Sequence, residues 1–278
     1  MAPTVASETE RYLRTGQTDP FMAAWPGTWS ERAERSRHEL RTALIREMNR
    51  ISSRRRSAIP LQHSVALVRR KARPMVHGLF SPSERDAVLT VLAHSVVFVT
   101  SENIEQLLLE QRWDRTAWNL ANLHLGSLGA EQLGPDAERL DGLSEETICY
   151  VSPAYFEWQE PFADFIVHEV AHVFHNCKRA GVGLSQTRRR EWLLDIAFHR
   201  RETFAYACEV YSRVVERARG MEGRRRLGEG FKAHDHFSDP RVDQDELTTI
   251  VRKAASVRNG WRVILESCAQ GISSRSPA

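Results

Sequence analysis

Cysteine, lysine and long apolar runs are what this sequence is short of. Four cysteines, Cys149, Cys177, Cys208 and Cys268, stand singly among 278 residues with no CxxC pair. That excludes a disulfide scaffold, and it suits a reducing compartment in which each thiol is a small buried apolar residue. No stretch approaches the roughly 18 consecutive apolar residues of a membrane-spanning helix. The opening residues, MAPTVASETERYLRTGQ, have no apolar segment behind a basic one, as the general secretory route requires. The expectation is a soluble cytoplasmic protein, with an effector exported by a non-classical route as the alternative. A dominant charge is missing too: 39 basic residues against 36 acidic ones leave +3. Lysine is confined to Lys71, Lys178, Lys232 and Lys253, so the basic runs at 54–56, 69–71, 188–190 and 224–226 are nearly all arginine. Such runs read either as solvated faces or as patches for phosphates or an acidic partner. The near balance of charge favours solvated faces and counts against a nucleic-acid binder.

What is present is enough apolar residue, 41%, to bury one large core or two modest ones. Residues 1–80 read as a helical accessory region. A Pro- and Trp-containing loop at 19–30 leads to a charged helix over about 30–51 with an apolar stripe of Leu40, Leu44, Ile45 and Met48. The stretch SSRRRS followed by Ile59-Pro60 is the candidate linker. Residues 81–270 read as the main domain and 271–278 as a tail. Ser81, Pro82 and Glu84 fit a capping box opening a helix to about His94. Val96 to Val99 reads as a buried strand, 103–113 as a helix, 118–125 as weakly strand-like and 126–142 as a loop. Thr147 to Val151 is the second strand. Helices are expected at about 161–177, 191–217 and 243–256, and a last apolar element at 261–268.

Within the 161–177 segment lies His168-Glu169-Val170-Ala171-His172. Two histidines four apart on a helix present their rings on one face, about 5–6 Å apart at Cβ, where they can share a zinc ion. Glu169 is rotated some 100° from His168, which puts its carboxylate beside the metal as the general base for a water. Burying two histidines and a glutamate in an apolar helix costs several kcal/mol without a partner, and a metal supplies one. A catalytic zinc needs a third protein ligand. Glu202 is chosen, because Ala205 one turn on allows its helix to approach closely; Glu209 and Asp195 are the alternatives. His175 shares the histidine face but lies a turn too far along. His199, Tyr206, His234 and His236 are candidates to donate to a developing oxyanion.

The pairing of HEVAH with ETFAYACE resembles the gluzincin metallopeptidases over about residues 168–209. Its second motif is closer to the ExxA form of lethal-factor-like peptidases than to the thermolysin form, since Tyr206 stands where the latter has Asp. HExxHxxGxxH does not fit, with His175 at the glycine and Lys178 at the third histidine. The resemblance implies an α+β zincin-like fold, mostly helical, with a small twisted sheet against the HExxH helix, one Zn2+ per chain, and a peptide or protein substrate. It also implies an edge strand that pairs with extended substrate, for which 147–151 is the candidate. The rival expectation is a non-enzymatic module in which a metal is structural and the Arg-rich N-terminal half binds nucleic acid or an acidic partner.

Overall fold

The computed structural model describes residues 3–52 and 64–269, apart from 136, 138, 139, 158, 159, 188, 189 and 237. The proposed linker at 52–60, apart from Ser52, and the tail at 271–278 therefore lie outside the described residues, as do Arg54 to Arg56, Arg188 and Arg189. The architecture is α+β and mainly helical. In chain order the elements are α1 (Val5–Thr15), α2 (Trp29–Ser52), α3 (Ser64–Leu79), α4 (Arg85–Ser95), β1 (Val96–Phe98), α5 (Ile104–Glu110), α6 (Asp114–Ser127), β2 (Gly142–Glu145), β3 (Ile148–Val151), α7 (Phe165–Asn176), α8 (Arg201–Arg217), α9 (Gly220–Gly230), α10 (Gln244–Ala255) and α11 (Gly260–Cys268). Among the described residues no helix is long and apolar enough to cross a membrane.

The three strands form one sheet in the order β1-β3-β2. Glu146 and Thr147 alone separate β2 from β3, a hairpin turn in which Glu146 takes φ 52°. The strand expected at the sheet edge, 147–151, is instead the central one. Both of its hydrogen-bonding edges are occupied, so it cannot pair with a substrate strand, and the edges belong to β1 and β2.

The chain forms two compact units, one from within 1–61, 98–145 and 150–157, the other from within 62–97, 146–149 and 158–278. The expected boundary at 80/81 does not follow this division, because α3 packs on α4, α7, α8 and α11. In the first unit α2 packs on α1, α5 and α6. Leu40, Leu44 and Met48 are fully buried there, while Ile45 is only half-buried at the margin of the stripe. Arg41 is also buried. Its guanidinium meets Asp114 at 2.8 Å and donates to the Tyr12 hydroxyl at 3.2 Å. Residues 118–125 are helical, not strand-like. Every side chain from Ala117 to Leu125 but Asn119 is buried, and a segment buried nearly all round loses the polar face that reveals a helix.

In the second unit α8 is the element against which α7, α10 and α11 pack. Gly78 of α3 marks one close approach: a Cβ there would lie 2.4 Å from the Trp261 ring of α11. The 81–84 segment is a turn rather than the first turn of α4. Glu84 accepts from the Ser81 N–H and hydroxyl and also holds the buried Arg179. The helix expected from 191 begins only at Arg201. Three residues ahead of it spend their N–H groups on tertiary partners, Leu193 on the Cys177 carbonyl, Leu194 on Phe174 and Ala197 on Cys268.

Candidate metal centre

The two helices that carry the candidate residues, α7 and α8, are apart in sequence but packed together in space. α7 opens on Asp164, whose carboxylate caps Val167 N–H at 3.4 Å and pairs with Lys71 at 3.0 Å. Its apolar band, Ile166, Val167, Val170, Val173 and Phe174, is fully buried and fixes the rotation of the helix. The opposite stripe then presents His168 and His172 to α8. There Ala205 is fully buried and leaves room for the close approach of the two helices.

His168 Nε2 and His172 Nε2 lie 3.3 Å apart, and Glu202 Oε2 is 3.7 Å from each. These three residues form the one group of potential metal ligands found among the described residues. A triangle with those edges has a circumradius of about 2.1 Å, the length of a zinc–nitrogen bond. The donor set fits a small divalent ion: two imidazole nitrogens and one carboxylate oxygen, with no fourth His, Cys or acid in the group. The side chains keep 13%, 12% and 22% exposure, so water can reach the point between them.

Each ligand is held from behind. His168 Nδ1 meets Glu209 Oε2 at 3.0 Å, while Glu209 Oε1 accepts the Asp164 N–H at 2.7 Å. Glu209, 1% exposed, spends both oxygens behind His168 and is not in the group of potential ligands. Glu202 Oε1 accepts from Arg241 at 2.8 Å, and Arg241 is pinned in turn by Asp239 at 2.7 Å. That leaves Oε2 to face the histidines. His172 Nδ1 meets His175 Nε2 at 3.3 Å. Of the residues proposed from sequence, Asp195 is exposed and outside the group. His199 is exposed ahead of α8, and His234 pairs with Asp245. His236 sits beside Glu160, stacked on Phe231. Tyr206 is the one oxyanion candidate at the site, its ring edge-on to His168 at 4.5 Å. Glu169 is 7% exposed, and its backbone carbonyl accepts the Cys149 thiol of β3 at 3.1 Å.

The electrostatics follow from this crowding. Burial works to lower the pKa of His168, but the carboxylates of Glu202 and Glu209, with a smaller effect from Glu169, outweigh it and raise it to about 10. His172 goes the other way, lowered to about 3 by burial and by the neighbouring His168. Burial likewise lowers His175, to about 4, assisted by Arg201. Burial pushes Glu202 up, yet His168, His172 and Arg241 leave it below the usual carboxylate range. The two facing imidazoles thus shift in opposite directions. Sequence reasoning passed over Arg241 and Asp239, which lie in a loop with no periodicity to mark them. Comparison of the chain with family models, curated proteins and solved structures finds no match.

Proposed function

We propose that this chain is a zinc-dependent metallopeptidase, with His168, His172 and Glu202 as the metal ligands and Glu169 as the general base. The observation that carries the reading is the convergence of three donor atoms, 3.3 and 3.7 Å apart, on one water-accessible point. The absence of a fourth protein ligand among the described residues supports a catalytic over a structural ion, because structural zinc is closed by four. The same absence weighs against the purely structural module. Zinc bound there would lower the pKa of its water to about 7 and polarise a carbonyl oxygen. Glu169 takes the proton of the attacking water and returns it to the departing amine nitrogen. Tyr206, raised well above an ordinary phenol by burial and by Asp239, keeps its proton at neutral pH, and its hydroxyl, which donates to Asp239 at 3.4 Å, can turn from that long bond to donate to the oxyanion. Glu209 and Arg241 hold the ligands in register.

The reading includes a zincin-like build, supported by β3 lying against the HEVAH helix through the Cys149 contact. A peptide bond is the substrate of choice because the residue set matches the HExxH-plus-glutamate pattern. The test is incubation of the zinc-loaded chain with a peptide library. Cleavage is expected, lost on chelation, restored by zinc, and reduced about 10²- to 10⁴-fold in Glu169→Gln with zinc content unchanged. Cleavage that survives Glu169→Gln at the wild-type rate overturns the assignment of the base.

A further inference from the structure

His175 has no role in the scheme above, yet it is 4% exposed inside the most apolar helix of the molecule. A buried imidazole needs partners for two nitrogens. Among the described residues its Nδ1 has none, so the contact of Nε2 with His172 Nδ1 at 3.3 Å is the one hydrogen bond the ring makes. The two rings are nearly perpendicular, at 84°, with centroids 5.2 Å apart. The spacing of three residues on α7 brings them together, as it does any i, i+3 pair.

The consequence concerns the tautomer of His172. A histidine that binds metal through Nε2 must carry its proton on Nδ1, and the group that accepts that proton fixes both the tautomer and the ring rotation. For His168 that group is Glu209, at 3.0 Å. Aspartate, glutamate and backbone carbonyl are the usual acceptors, and the backbone carbonyls in this part of α7 are committed to the helix. We infer that His175 is the positioning residue for His172: its Nε2 accepts the His172 Nδ1 proton and aims Nε2 of His172 at the ion. This rests on the metal-centre reading above. The two ligands are consequently unequal, His168 backed by an anion and His172 by a neutral ring, which makes His168 the stronger donor.

The test compares zinc dissociation constants, by competition with a chromophoric chelator, in the full chain and in His175→Leu and His175→Gln. Leucine fills the space without an acceptor; glutamine offers a carbonyl oxygen. His175→Leu is expected to bind zinc about 10- to 100-fold more weakly, with His175→Gln recovering most of the loss. The thermal midpoints of the zinc-free variants should not follow that order. Equal affinity of His175→Leu and wild type, or a glutamine variant as weak as the leucine one while both are folded, overturns the role of His175 and leaves the metal centre standing. Failure of the unaltered chain to bind zinc overturns the centre itself. Should the variants not fold, nitrogen-15 spectra of the zinc-loaded wild type decide: a coupling across the hydrogen bond from His172 Nδ1 to His175 Nε2 is expected, and a His172 protonated at Nε2 contradicts it.

Discussion

Two buried polar clusters, one in each unit, look alike in composition and differ in what they leave undone. In the first unit Arg41, Asp114 and Tyr12 pair with one another, while Arg41 Nε has no hydrogen-bond partner among the described residues. The cation meets the anion at 2.8 Å and the phenol at 3.2 Å, and burial raises the Tyr12 pKa so that the hydroxyl stays neutral. Each charge in it has its complement. In the second unit His168 Nε2, His172 Nε2 and Glu202 Oε2 face one point. Every outward-facing atom there is matched, by Glu209, His175 and Arg241, and the inward-facing ones meet only one another. Burial of charge does not by itself mark a functional site. What marks it is a set of donors satisfied on the outside and left facing each other on the inside.

The comparison can be broken by removing one member of each cluster. Glu202→Ala should weaken zinc binding by more than about 100-fold, above the range for groups that only orient ligands, while the zinc-free chain stays folded and loses stability only where His168 is protonated. Titration against a competing chelator, beside denaturant unfolding, reads both. Arg41→Met should do the reverse. It leaves Asp114 without its cation and lowers unfolding free energy by about 3 kcal/mol, the low end for a broken buried pair, because Asp114 is itself partly exposed. Its zinc affinity should be that of wild type. If Arg41→Met lost zinc, or Glu202→Ala unfolded the chain, the distinction between the two clusters would not hold.

Smaller changes sharpen the same contrast. Glu209→Gln keeps an acceptor for His168 Nδ1 but removes its charge, and zinc affinity should fall about tenfold. The pH dependence is a gentler probe. His168 in the zinc-free fold has its pKa raised to about 10, from about 6.5 when unfolded. A raised histidine stabilises the fold fully below the unfolded value, and that contribution is lost as pH rises through the folded value. The thermal midpoint of the zinc-free chain should therefore decline between about pH 7 and 10. Zinc must displace the same proton, so affinity should climb over that window. A flat midpoint in wild type, or the same decline in His168→Asn, contradicts the assignment.

Legibility in the sequence divides along physical lines. The α2 stripe, β1, β3 and the HEVAH helix were readable because one-sided burial imprints a period on the chain. His168 and His172 of the candidate metal group were readable from their spacing, and the small Ala205 pointed to Glu202. Four features were not. Glu202 and Glu209 lie seven residues apart on one helix, so periodicity could not say which would bind and which would orient, and only packing against Asp164 N–H settles the place of Glu209. The start of α8 was misplaced because 191–200 has helical composition but gives its backbone bonds to tertiary partners. α9, with Gly220, Gly223, Gly228 and Gly230, is a poor helix by propensity. It is held by α10, where a Cβ on Gly228 would come 2.5 Å from Ala255 Cβ. The central position of β3 depends on β2, a strand with no fully buried residue and hence no apolar signature.

The measurement that tests the central claim most directly is zinc per chain, by elemental analysis of purified protein, in wild type and in His168→Ala/His172→Ala. One equivalent in wild type and none in the double variant is the result this account predicts. No zinc in either, or equal zinc in both, would contradict it.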